Sequence, residues 1–154
     1  MEKELESAMN QQIVNELAAS NAYLALAAHM DTLGLKVLAG FFFAQSDEER
    51  AHALKFVHYL LDVDGTPSVG GIPEPTIDTR DVEAAVKRSL EQEMEVTQQI
   101  NNLMALAQQH NDYAAVSFLR WFVDEQVEEQ ATMNDLLALI RHAGPNNLLL
   151  VEDR

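Results

Sequence analysis

Apolar residues recur along most of this chain at the spacing of one helix face. From about Leu5 to Thr32 the stripe runs through Met9, Ile13, Leu17, Leu24 and Ala28, and Gly34 follows as a stop. A second stripe, from about Leu35 to Asp62, passes through Leu38, Phe42, Phe56, Val57 and Leu60. The short connection makes these two helices antiparallel neighbours. A third helix is predicted from about Thr79 to Gln109, with Asp78 or Thr79 as its N-cap and an acid in its first turn. After the polar turn His110-Asn111-Asp112, a fourth runs to about His142, where Gly144-Pro145 ends it.

Between the second and third stripes lies DGTPSVGGIPEPTI, Asp64 to Ile77. It holds three of the four prolines and three of the six glycines. Proline removes backbone donors and glycine costs backbone entropy, so this stretch is no helix. A long irregular segment in a compact domain needs a reason. A crossover running the height of a bundle, joining two parallel helices, supplies one. The expectation is a single all-α domain over residues 1–154: a four-helix bundle with one long crossover between its second and third helices.

Polar residues interrupt the apolar stripes at regular places. Residues seven apart lie almost on one helix face. Glu16 is flanked in this way by Met9 and Tyr23, Glu49 by Phe42 and Phe56, and Glu93 by Val86 and Ile100. On the fourth helix Gln126 lies between Leu119 and Met133, and Glu129 between Phe122 and Leu136. Each helix thus turns at least one carboxylate inward. Glu16 to Glu93, Glu49 to Gln126 and His52 to Glu129 are all separated by 77 positions. A pseudo-repeat of two helix pairs brings these groups to one level of the core.

Burying one unpaired ion costs several kcal/mol, so convergent carboxylates must hold protons or a multivalent cation. Four Glu, one His and one Gln suit a hard or borderline cation of the iron or manganese type. Zinc prefers more His or Cys in a four-coordinate site. Glu49 and His52 form E-x-x-H, with both side chains on one face, as di-iron bundles require.

Composition narrows the rest. With no Cys, disulfides, thiolate catalysis and Cys-ligated metal centres are excluded, which fits a reducing, cytoplasmic setting. The formal net charge of −15 repels nucleic acid and anionic lipid and attracts cations. The charged N-terminus MEKELESAMNQQ has no apolar segment of a signal peptide, and no apolar run approaches the ~20 residues that span a bilayer. His29, His58, His110 and His142 read as surface or rim residues. The run Phe41-Phe42-Phe43 reads as core packing plus subunit contact.

The strings NELAASNAYLAL, SDEERAHALKFVHYLL, EQEMEVTQQIN and FLRWFVDEQVEEQ resemble the ferritin family, specifically the non-haem bacterial ferritins. The likeness extends over nearly the whole chain, including the crossover and the HNDY turn. It implies that Glu16, Glu49 and His52 hold a first iron, that Glu49 bridges to a second, and that Glu93 holds that second iron. It implies a further ligand in Glu129, a supporting amide in Gln126, and Tyr23 and Trp121 as aromatic neighbours of the centre. Glu48, Glu125, Glu128 and Glu129 fall where bacterial members line a third iron site.

Bacterioferritins and rubrerythrins carry a second E-x-x-H on the fourth helix, where this chain has Gln126 and Glu129. Arg50 stands where bacterioferritin has its haem-binding Met, so haem is not expected. The mini-ferritins put their iron between subunits and do not need a set within the bundle.

The activity implied is iron storage and ferroxidase chemistry, with Fe(II) and O2 or hydrogen peroxide as partners, in a homo-oligomeric cage of 24 subunits. Two departures stand out. The chain ends at LLLVEDR soon after Gly144-Pro145, leaving little or none of the family's fifth helix. Val116 and Leu119 occupy positions where animal ferritins have acids lining an entry funnel. The rival readings are a soluble di-iron oxidase that stores nothing and an acidic helical module without metal.

Overall fold

The computed structural model describes residues 1–153. Its elements are α1 (Lys3–Thr32), α2 (Lys36–Asp62), α3 (Val82–Gln109), α4 (Tyr113–Ala143) and a one-turn α5 (Leu149–Glu152). The two antiparallel hairpins, α1 with α2 and α3 with α4, pack together through α1 and α3, and the crossover between α2 and α3 makes this the ferritin-like bundle. Among the described residues there is no strand, and no helix is long and apolar enough to cross a membrane.

Helix ends follow local chemistry. Gly34 takes φ +79°, and its neighbour Leu35 donates its amide to Met30 O, closing α1 with a left-handed cap that a side chain would strain. Asn111 (φ 54°) does the same between α3 and α4, and the Asp112 carboxylate accepts from the Ala115 amide to start α4. No side chain adjacent to the start of α2 caps it. Instead the α5 carboxylate Glu152 accepts from the amides of Val37 (2.9 Å) and Leu38 (2.8 Å). The fifth helix is therefore short but fastened.

Two expectations need correction. α3 begins at Val82 with Asp81 as its cap, accepting from the Ala84 amide at 2.7 Å, three residues later than expected. Asp78 is unavailable because Arg80 claims it, through its amide and through a guanidinium contact of 2.6 Å. That pairing holds the Asp78 carboxyl down at about 2. On α1, Leu24 and Ala28 face outward, Leu24 being 50% exposed. The buried stripe runs instead through Tyr23, Leu26, Ala27 and Met30, because each four-residue step of the expected stripe advances about 40° round the helix and carries it off the buried face. The phenylalanine run divides as expected of three adjacent residues: Phe42 is buried, Phe41 half-buried and Phe43 exposed.

The crossover is pinned to α1 by Asn10, whose amide donates to Thr66 O while its oxygen accepts from the Ser68 amide. The core divides into two apolar clusters. One, around Tyr23, Phe42, Val86, Met133 and Ile140, lies towards the α5 end. The other, around Met9, Phe56, Ile100, Leu119 and Phe122, fills the opposite end. Every apolar residue that the seven-residue spacing placed beside an inward acid is buried. Between the clusters sits a polar layer.

Candidate metal centre

Each long helix sends one carboxylate into that layer: Glu16 from α1, Glu49 from α2, Glu93 from α3 and Glu129 from α4, all buried together with His52 and Gln126. Close approach of α1 and α2 here is secured by two small residues. Ser20 Oγ donates to Ser46 O and Ser46 Oγ to Ser20 O, each at 2.8 Å, so the hydroxyls satisfy each other's backbone within the core.

The ligand atoms converge in three groups, each with its atoms within 4.8 Å of one another: Glu16, Glu49 and His52; Glu49, Glu93 and Glu129; and His52, Glu125 and Glu129. Glu49 belongs to the first two, as a residue bridging two cations must. His52 Nδ1 lies 3.2 Å from Glu49 Oε2 and 3.8 Å from Glu16 Oε2. Its ring is wedged edge-on against Trp121 at 5.4 Å and Phe122 at 5.8 Å, and Lys55 Nζ sits 3.7 Å above the Trp121 ring.

The Glu93 carboxylate is held from both sides. Tyr23 OH donates to Oε1 at 2.5 Å and Gln126 Nε2 to Oε2 at 3.1 Å. Thr97 and Gln130 extend this support: Gln130 donates to Thr97 Oγ1, which donates to Glu93 O. The sequence reading missed Thr97 and Gln130, as well as Gln12, which donates to Glu16 at 3.2 Å. Each lies four residues from a residue already singled out, so helical spacing was the available signal.

The electrostatics are those of a site built for positive charge. Burial pushes the Glu49 carboxyl well above the usual range, and neighbouring Glu16 adds to the shift. Burial raises Glu93 also, against the opposing effect of its Tyr23 and Gln126 donors. Glu129 rises to about 9, from burial first and then from Glu93, Glu48 and Glu125. Tyr23 is raised well above its ordinary value by burial and by Glu93. Among the described residues Glu16 Oε2, Glu49 Oε1 and Glu129 Oε2 are buried without a hydrogen-bond partner. Uncompensated carboxylate oxygens in a dry core fit a multivalent cation.

The third group forms an outer layer of the same site. Glu125 is half-buried and approaches His52 and Glu129, while Glu48 is exposed and acts on Glu129 through its charge. Glu128 is exposed and joins none of the groups described above. His58 and His142 are exposed, and His29 and His110 half-buried, apart from these groups, as a surface or rim reading expects.

A helical bundle that gathers four buried carboxylates and one imidazole at one level, with Glu49 common to two of the groups, has the donor set of the proteins that bind cations within a helical core. The chain belongs to the ferritin family, whose ferritin-like domain matches residues 6–143. It is 37% identical over 147 residues to a bacterial non-heme ferritin of Staphylococcus aureus (strain MRSA252), covering 96% of this chain and 89% of that protein. It is 36% identical to the bacterial non-heme ferritin of Staphylococcus haemolyticus (strain JCSC1435), covering 99% and 93%. Its fold is similar to that of a novel open pore ferritin from the archaeon Archaeoglobus fulgidus, with a TM-score of 0.96 and 31% identity over 99% of this chain and 96% of that one.

Proposed function

We propose that this chain stores iron, oxidising Fe(II) to Fe(III) at a two-iron site inside the bundle and depositing the product within a hollow homo-oligomeric shell of 24 copies. The observation that carries the reading is the sharing of Glu49 between the Glu16–His52 group and the Glu93–Glu129 group. Fe(II) is the substrate, and each ion gives up one electron. Two ions supply the pair that reduces O2 to hydrogen peroxide with uptake of two protons. With hydrogen peroxide as oxidant, the pair cleaves its O–O bond and two protons are taken up to give two waters.

The protein's part is geometry and charge. Glu16 and His52 hold one ion, Glu93 and Glu129 the other, and Glu49 sets their separation. Four carboxylates favour the higher charge of Fe(III) over Fe(II), which pulls the oxidation forward. Glu125, Glu129 and the negative charge of Glu48 form an outer acidic step, the place for a third iron, through which product leaves towards mineral. Haem has no part in this reading.

Anaerobic addition of Fe(II) followed by air, with the ferric absorbance and particle mass read on one sample, tests the proposal. The expected result is two fast-oxidising irons per chain on a large shell. Fast oxidation on a small oligomer would move the reading to a soluble oxidase that stores nothing. Glu49→Ala is expected to abolish the fast phase with the helical content intact, and normal kinetics in that variant would sink the site.

A further inference from the structure

The pseudo-repeat does not treat its two halves alike. Glu93 has both oxygens engaged by donors, whereas Glu16 has one engaged and one free. The 77-residue offset maps Gln12 onto Ser89, whose hydroxyl is spent on Ala85 O, so the α3 half has no counterpart of the Gln12 amide.

Gln12 is 2% exposed and Glu16 fully buried. Gln12 Nε2 donates to Glu16 Oε1 at 3.2 Å and to Gln99 Oε1 on α3 at 3.1 Å. Gln12 Oε1 accepts from Asn15 Nδ2 at 3.1 Å, and Asn15 Oδ1 accepts from Gln11 Nε2 at 3.0 Å. The donors all run one way, from the surface inward to the carboxylate. Flipping the Gln12 amide would set its oxygen against the oxygens of Glu16 and Gln99 and turn its NH2 on the Asn15 donor. The amide is locked by all three partners.

We infer that Gln12 is a positioning residue that makes Glu16 a one-oxygen ligand. This rests on the two-iron reading of the site. With Oε1 held by the Gln12 amide, itself anchored to α3 through Gln99, Oε2 is the oxygen presented to a cation, and it lies without a hydrogen-bond partner 3.8 Å from His52 Nδ1. A carboxylate free to rotate could chelate one ion through both oxygens and fill the coordination position that the oxidant requires. The tether keeps that position open and fixes the first ion at the level of His52. A donor to the non-ligating oxygen also orients the ligand, a role whose loss weakens metal affinity about 10–100-fold in other sites.

The test is anaerobic titration of the assembled protein and its Gln12→Met variant with Co(II), whose visible bands report coordination number. For the wild type, two Co(II) per chain are expected, with two resolvable environments. In Gln12→Met one environment should weaken about 10-fold and its bands should move towards higher coordination, while the other stays in place. Gln99→Met, which frees the amide but leaves it able to reach Glu16, should move the same bands by less. It carries the test if Gln12→Met does not fold.

Unchanged bands and affinity in the folded variants would overturn the inference, as would loss spread equally over both environments, since that is loosening of the bundle. If the wild type binds no Co(II), the two-iron reading fails and this inference with it.

Discussion

Tyr23 OH and Glu93 Oε1 are joined by a 2.5 Å hydrogen bond that ties α1 to α3 across the polar layer. Both groups are buried away from bulk solvent. Tyr23→Phe should therefore cost about 1–3 kcal/mol in the metal-free protein, because a buried acceptor is left with one donor fewer. It should also slow Fe(II) oxidation, through a Glu93 free to leave its position. Chemical denaturation and stopped-flow absorbance measure the two effects, and a variant matching wild type in both would show the bond to be idle.

Raised carboxyl pKa values give the metal-free protein an unusual pH profile. Burial pushes the Glu129 carboxyl up to about 9 in the fold, against 4.5 for an exposed glutamate. Across that interval the native state holds the extra proton, so the stability contributed below about 4.5 is lost as pH rises towards about 9. Glu49 and Glu93 shift in the same direction. Melting temperature of the metal-free protein should fall from roughly pH 6 to pH 9, and Glu129→Gln should flatten the fall. At neutral pH, divalent metal binding should release protons, visible as a buffer-dependent binding heat. A flat melting profile together with a buffer-independent heat would contradict the assigned shifts.

Glu152 supplies the cap that the chain around Leu35 does not. Glu152→Gln keeps one acceptor oxygen but loses the charge and the second acceptor. Glu152→Ala removes the cap entirely and should cost about 0.5–2 kcal/mol. Hydrogen exchange at the Val37 and Leu38 amides should accelerate in Glu152→Ala and not at the far end of α2. Uniform acceleration along the helix would point to a global effect instead.

The Ser20–Ser46 clasp sets how near α1 can come to α2 beside the site. Ser46→Leu inserts volume where the helices touch, removes the Ser46 Oγ hydrogen bond and pushes Ser20 Oγ away from Ser46 O, with an expected loss of about 1–3 kcal/mol from overpacking alone. Because Glu16 and Glu49 sit on those two helices, metal affinity should fall with the widened gap. Ser46→Ala keeps the separation and should retain affinity at a smaller stability cost, and the comparison separates spacing from hydrogen bonding.

The inward acids were legible because an amphipathic helix with a misplaced charge advertises it: Glu16 between Met9 and Tyr23 has no outward face to occupy. The crossover was legible through its prolines and glycines. The start of α3 was not, since Asp78 and Asp81 are both competent caps and only the arrangement of Arg80 decides between them. Leu24 is apolar yet lies one residue beyond the Met9–Glu16–Tyr23–Met30 line, so side-chain type alone does not place it. Gln12, Thr97 and Gln130 were passed over because an amide on a helix is usually solvated, and their role appears only once α1, α3 and α4 are brought together.

The polar layer divides the core into two dry blocks with an acidic waist between them. A bundle is ordinarily held along its whole height by continuous apolar contact, and this one interrupts that grip halfway. The waist is where repulsion gathers once its protons are removed, and an incoming cation reverses its sign. Filled, the same layer becomes a rivet through all four helices. On the proposed reading, the point at which the chain does its chemistry is also the point at which cargo decides how tightly the two halves of the molecule hold together.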